Sequence, residues 1–377
     1  MKIDSPALSC MRSYLESLPY ALVDFRLSLE APTNSNGFPP FEALRRVISR
    51  LDPTANALFR LFRAGEAVSG EEIEALLPRE FIEACVATEV LVRTEQAEWR
   101  TPNLLLVPME AALVFVSTPT WYPTATRPRS VSFDLSSYVV SKCLPTQLHG
   151  LSVLDMCSGS GVLGLLCALR GAKSVVGLDI NPESTELARL NAMLNGMSNS
   201  TSFRVSDGLT ALAPDECFDV AICNTPYAPV VAHDGSITSL SALGNTVLFD
   251  VLKRLPAHLG PNARGILAAW RSVGLEGATE QQDRIIAALA ESGFQTTTFV
   301  DRASEDVASI LRMLKHDCEQ RLGTHRASAV LEEAQQLFAV GKSQYDGFYN
   351  QIIHFGRGTS VRPQCSTITR LMPPRAA

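Results

Sequence analysis

Four apolar runs end in polar residues whose types suit the handling of a nucleoside and a nitrogen. "VLDMCSGSG" (153–161) carries Asp155 into a loop of small residues, Cys157, Ser158, Gly159 and Gly161. The glycines let the backbone turn sharply and approach a ligand, and a helix starting after the loop offers free N–H groups. "SVVGLDI" ends in Asp179 and Ile180, where a carboxylate can accept two ribose hydroxyl protons. "RVSDG" ends in Asp207 and Gly208, a place from which an acid could face an adenine amino group. "FDVAICNTPYAP" (218–229) ends in Asn224, Thr225, Pro226 and Tyr227. The Asn224 amide oxygen and the Thr225 carbonyl can accept both hydrogens of a planar nitrogen, with the Tyr227 ring stacked on its face. Each motif taken alone has a plainer alternative: a tight turn, a helix cap for the segment at Pro182, an Asp-Gly turn, and a proline-stiffened corner.

From about residue 130 strands alternate with helices, which predicts a parallel sheet covered on both faces. "SVLDM", "SVVGLDI", "TSFRVSD", "FDVAICN", "RGILAAW", "QTTTFVDR" and "YDGFYNQIIHFG" read as seven strands. "GVLGLLCALRG", "PESTELARLNAMLNG", "TVLFDVLKRLPAHLG" and "EQQDRIIAALAESG" read as helices between them. Doubly wound sheets bind ligands at the carboxyl ends of their strands, so the Asn224 corner belongs beside the glycine loop. Residues 303–342 read as two helices inserted before the last strand, either a lid over the cleft or a dimer contact. The tail, 361–377, is expected to be disordered.

Ahead of this lies a smaller segment. "APTNSNGFPP" (31–40) is linker chemistry. Residues 41–117 give helices, a capping box at Ser69 and Glu72, and a hairpin formed by "VLVRT" and "EWRTP", an order that is winged-helix-like. Between 54 and 102 the bases are Arg60, Arg63, Arg79, Arg93 and Arg100, outnumbered by Glu66, Glu71, Glu72, Glu74, Glu80, Glu83, Glu89, Glu95 and Glu98. Phosphate binding needs the opposite balance, and the net charge of -6 adds no general attraction, so nucleic acid is not the expected partner. The run "LLLVPMEAALVFV" is too short to span a bilayer and contains Pro108 and Glu110. The N-terminus lacks a continuous apolar signal region, and nine scattered cysteines without a C-x-x-C pair fit a reducing compartment and no zinc site. A cytoplasmic protein is expected.

Asp155 with Gly159 and Gly161, Asp179, "ARLNAMLNG" and "NTPY" together resemble class I S-adenosylmethionine-dependent methyltransferases with an N-P-P-Y-type motif, over about residues 130 to 300. That group includes glutamine-N5 and adenine-N6 methyltransferases. The resemblance implies a Rossmann-like seven-stranded sheet over 121–360, behind an α-rich domain at 1–120. It also implies S-adenosyl-L-methionine along Asp155, Cys157, Ser158, Gly159, Gly161, Asp179, Ile180, Asp207, Gly208 and Asn224, and a methyl acceptor facing Asn224 to Tyr227. Two departures stand out. Cys157 replaces a usual glycine, which a small side chain tolerates if the local φ is negative. Thr225 replaces the first proline of the corner but still supplies its carbonyl. The expected reaction is methyl transfer to nitrogen of a small metabolite or natural-product intermediate. Alternatives are carbon or oxygen methylation with His233 as base, methylation of a protein glutamine or a nucleobase, and a cofactor-binding regulator without catalysis. Trp121 and Tyr122 could close over the cofactor or sit in a core, no metal is expected, and a homodimer stays open.

Overall fold

The computed structural model describes residues 5–31, 38–119, 122–126, 133, 135–225, 230–231, 237–238, 246–273, 280–306 and 347–357. It adds isolated helical positions at 311, 315, 319, 327–328 and 331–332. Along the chain come α1 (Ser5–Ser17), α2 (Tyr20–Glu30), α3 (Phe41–Ile48), α4 (Pro53–Phe62), β1 (Val68–Ser69), α5 (Gly70–Leu76) and α6 (Arg79–Ala87). Next are β2 (Val92–Arg93), β3 (Glu98–Arg100), β4 (Leu104–Met109), β5 (Ala112–Ser117), α7 (Leu135–Cys143), β6 (Ser152–Met156), α8 (Val162–Leu169) and β7 (Ser174–Asp179). Then α9 (Pro182–Leu194), β8 (Thr201–Val205), β9 (Phe218–Asn224), and the short β10 (Val230–Val231) and β11 (Ile237–Thr238) follow. The order closes with α10 (Thr246–Arg254), β12 (Leu259–Val273), α11 (Glu280–Glu291), β13 (Gln295–Asp306) and β14 (Gly347–Gly356). The described residues form two compact units, one drawn from 1–138, 158–169 and 181–203, the other from 139–157, 170–180 and 204–377.

In the first unit, local chemistry starts the helices. Asp52 caps α4 by accepting the Ala55 N–H at 3.1 Å, with Pro53 at the first helical position. The Ser69 hydroxyl accepts the Glu72 N–H at 3.2 Å and starts α5. Strands β1, β3 and β2 form a small antiparallel sheet in that order. β1, at two residues, is too short to carry a sequence pattern. The five arginines of this region are engaged internally. Arg60 pairs with Glu66 and Glu72, Arg63 with Asp24 and Arg79 with Glu83. Arg93 lies over the Trp99 ring and Arg100 donates to the Thr124 carbonyl. Tyr122 is core: 1 % exposed, it donates to the Pro39 carbonyl at 2.8 Å beside Phe38 and Phe41. Trp121 lies outside the described residues. The apolar run at 104–117 is a hairpin, β4 against β5 from Leu104↔Ser117 to Met109↔Ala112. All six β5 residues are buried, so the strand shows no alternation.

The seven-stranded sheet is ordered β13-β14-β12-β9-β6-β7-β8, and its strands other than β8 lie in the second unit. β6 runs parallel to β7 and β9, β9 parallel to β12, and β14 antiparallel to both β12 and β13. A core of Leu154, Met156, Cys223, Leu248, Leu267, Ile285, Ile353 and Phe355 fills one face. Gly265 is required there, since a Cβ would lie 2.4 Å from the Ala221 carbonyl and 2.3 Å from Phe355. Asn224 stands opposite Ala268 of β12. Beyond that level β12 continues to Val273, paired with β14 as far as Gly347, and Gly347 pairs in turn with Asp306 of β13. Three strands therefore project past the carboxyl edge. This corrects the expectation of helices from 303 on: Ala303–Asp306 extends β13, because cross-strand pairing with Gly347–Tyr349 supports it. The rest of the expected lid lies outside the described residues apart from the isolated helical positions, and so does the tail. No helix among the described residues is long and apolar enough to cross a membrane.

Candidate active site

Register aligns the predicted residues along one sheet edge. Asp155 pairs with Gly177 and Ile222, and Met156 with Leu178 and Cys223. Asp179 and Asn224 each follow those partners by one residue and end β7 and β9 on either side of β6, while Asp155 is the next-to-last residue of β6, two residues short of their level. Asp155 is 1 % exposed.

The chain leaves β6 through Cys157, Ser158, Gly159, Ser160 and Gly161. Cys157 adopts φ 57°, Gly159 φ 53° and Gly161 φ 77°. The condition of a negative φ at Cys157 is thus not met: the loop keeps its left-handed turn and the cysteine carries the strain, about 1–2 kcal/mol for a residue with a Cβ. Its thiol hydrogen-bonds that of Cys223, and this bond, with burial and the nearby Asp155 charge, pushes the Cys223 thiol well up. A Cβ at Gly161 would meet Ala188 and Phe203 at 2.8 Å, so helix packing as well as φ demands glycine. The Ser158 and Ser160 hydroxyls are buried and have no hydrogen-bond partner among the described residues.

At the end of β7, the Asp179 carbonyl accepts the Ser206 N–H at 2.8 Å. The cap of α9 is Asn181, which accepts the Glu183 N–H at 3.0 Å, so the capping alternative for Asp179 does not hold. Ile180 is 68 % exposed, an apolar side chain presented to solvent beside the acid. Asp207 is exposed and its carbonyl accepts the Thr210 N–H; Gly208 has φ 56°, so the backbone here is the Asp-Gly turn. Ser206, unremarked in the sequence, ties that turn by donating to the Gly208 carbonyl and accepting the Ala211 N–H.

Asn224 is half-buried at the end of β9. Thr225 is 4 % exposed and its hydroxyl donates to the Ala268 carbonyl at 2.6 Å. The departure from proline thus has a use, fastening the corner to β12. Pro226, Tyr227 and His233 lie outside the described residues. On β14, His354 is 8 % exposed, its ring edge-on to Phe299 at 5.5 Å, and burial pushes its pKa down to about 4. Among the described residues no three His, Cys, Asp or Glu side chains are grouped to hold a metal ion.

Residues 140–248 match the family described as Ribosomal protein L11 methyltransferase (PrmA). A putative protein N5-glutamine methyltransferase of Methanocaldococcus jannaschii is 42% identical over 87 residues, 23% of this chain and 42% of that protein. A ribosomal protein L11 methyltransferase of Dechloromonas aromatica is 28% identical over 195 residues, 49% of this chain and 60% of that protein. The chain thus spans less than two thirds of the length of either curated relative. The crystal structure of ribosomal protein L11 methylase from Lactobacillus delbrueckii subsp. bulgaricus superposes with a TM-score of 0.31 at 26% identity, covering 44% of this chain and 71% of that one. With the strand-end acids and left-handed glycine loop in place, residues 140–248 are similar to S-adenosylmethionine-dependent methyltransferases.

Proposed function

We propose that the chain transfers a methyl group from S-adenosyl-L-methionine to a nitrogen held at the Asn224–Tyr227 corner. The observation that carries this reading is the placement of Asn224 at the carboxyl end of β9, with Thr225 anchored to the Ala268 carbonyl at 2.6 Å. The residues present suit the cofactor. Asp179 ends β7, where its carboxylate suits the ribose hydroxyls, exposed Ile180 offers an apolar face to adenine, and the buried Ser158 and Ser160 hydroxyls stand in the loop assigned to the methionine part. When bound, the cofactor supplies an electrophilic sulfonium methyl. The chain's part is positioning: an in-line displacement gains much of its rate from holding the acceptor at the right distance and angle. The Asn224 amide oxygen and Thr225 carbonyl would accept the acceptor's N–H hydrogens, raising electron density on the nitrogen as the N–C bond forms and the S–C bond breaks; the thioether leaves neutral and the methylated nitrogen releases one proton to water.

For the acceptor, the three strands projecting beyond Asn224 support an enclosed small metabolite, since they raise a wall beside the corner. A protein side-chain nitrogen is the second reading, favoured by the printed names of the relatives. Isotopically labelled S-adenosylmethionine incubated with size-fractionated cell extract separates the two. Label in the small-molecule fraction supports the first, and label in protein the second. Asn224→Ala should lose turnover by about a hundredfold or more, the scale set by removing a single hydrogen-bonding group that stabilises a transition state, with S-adenosylhomocysteine affinity retained. Unchanged turnover would end the mechanism.

A further inference from the structure

Asn191 and Asn195, one turn apart on α9, are 0 % and 3 % exposed. Asn191 accepts the Phe115 N–H at 2.8 Å and donates to the Phe115 carbonyl at 2.9 Å. That double exchange is what a residue of an adjoining antiparallel strand would make. Its other amide hydrogen goes to the Ser160 carbonyl, also at 2.9 Å. Asn195 repeats the exchange with Leu113, at 2.9 Å and 2.7 Å, and spends its spare hydrogen on the Asn191 carbonyl at 2.7 Å. Arg12 of α1 adds a bond to the Asn195 side-chain oxygen at 3.1 Å.

The target of Asn191 in the loop matters. Ser160 lies between two left-handed glycines, and the peptide plane from Ser160 to Gly161 is held at both ends. Its carbonyl is held by Asn191, and its N–H donates to the Ser158 carbonyl at 2.8 Å. A loop fixed before the ligand arrives loses less entropy on binding.

We propose that Asn191 is a positioning residue for the cofactor loop, and that through it the β4–β5 hairpin is a working part of the cofactor-binding apparatus. The proposal rests on reading 158–161 as that loop. It gives the N-terminal part of the chain a role distinct from acceptor binding: whatever loosens the hairpin lowers cofactor affinity.

The full chain, Asn191→Ala and Asn195→Ala are compared by thermal melting, by calorimetric titration with S-adenosylhomocysteine, and by hydrogen exchange of ligand-free protein at residues 159–163. Both variants lower the melting temperature. Asn191→Ala alone speeds loop exchange and weakens binding by about tenfold, or about 1.4 kcal/mol, while Asn195→Ala leaves both within about twofold of the parent. Loop exchange unchanged in Asn191→Ala, or equal effects from the two variants, would reduce Asn191 to a packing role and overturn the proposal. If the parent itself does not bind S-adenosylhomocysteine, the cofactor reading falls, and loop exchange still decides whether the clamp exists. Asn191→Ser repeats the comparison should the alanine variant fail to fold.

Discussion

His354 allows a quantitative test of how the sheet is built. Its ring is buried on β14, in register with Ile266 on one side and Thr297 on the other, and edge-on to Phe299. Taking the proton there means placing a charge among apolar groups, and burial pushes the pKa from 6.5 to about 4. The folded state therefore binds fewer protons than the unfolded state throughout the interval. The stability contribution is complete above the unfolded value and is lost as pH falls toward the folded one. Linkage between those two values removes about 1.8 kcal/mol between about pH 7 and about pH 5. The full chain and His354→Leu are unfolded with urea across that range, the leucine variant serving to subtract the carboxylates that titrate in the same window. The parent should lose about 1.8 kcal/mol more than the variant over the two pH units. Parallel pH profiles would mean that the ring charges without cost, and the packing assigned to that face of β14 would be wrong.

Asp179→Ala should weaken S-adenosylhomocysteine binding by about tenfold to a hundredfold, through loss of a charged hydrogen bond; normal affinity by calorimetry would remove Asp179 from the site. Cys157→Gly should stay within about 1 kcal/mol of the parent in stability, because relief of left-handed strain offsets the lost thiol contact and the added chain entropy. Cys157→Val should lose about 2 kcal/mol or more, since a β-branched residue fits that backbone worst. Equal denaturation midpoints for the two would contradict the left-handed loop. Thr225→Val keeps the side-chain shape and removes one bond, so it should cost about 1 kcal/mol in urea denaturation; no loss would mean that the hydroxyl does not hold the corner to β12.

Strands β6, β7 and β9 were legible because a parallel strand buried on both faces is a continuous apolar run, and each run stops at the residue that turns toward the ligand edge. The same continuity hid the hairpin. "LLLVPMEAALVFV" alternates no more than a core helix does, and only the partners across β4 and β5 identify it. The end of β13 is invisible to local pattern because "ASED" has no strand character of its own and is held by pairing with residues some forty positions later. The left-handed φ of Cys157 could not be read from its identity, since among residue types only glycine advertises that conformation. The asparagines of "ARLNAMLNG" were visible as a motif, but their partners lie 76 and 82 residues away, beyond any local pattern.

The Asn191–Asn195 pair has one more consequence, for solubility. A two-stranded hairpin leaves an open edge whose alternate N–H and C=O groups invite any extended segment to join it. On β5 those groups belong to Leu113 and Phe115, and both are already taken by side-chain amides that imitate a third strand. A helix thus closes a sheet edge that would otherwise template aggregation, and it can do so only after α9, far downstream, has been synthesised and folded. Until then the front segment of the nascent chain carries an apolar, unfinished strand.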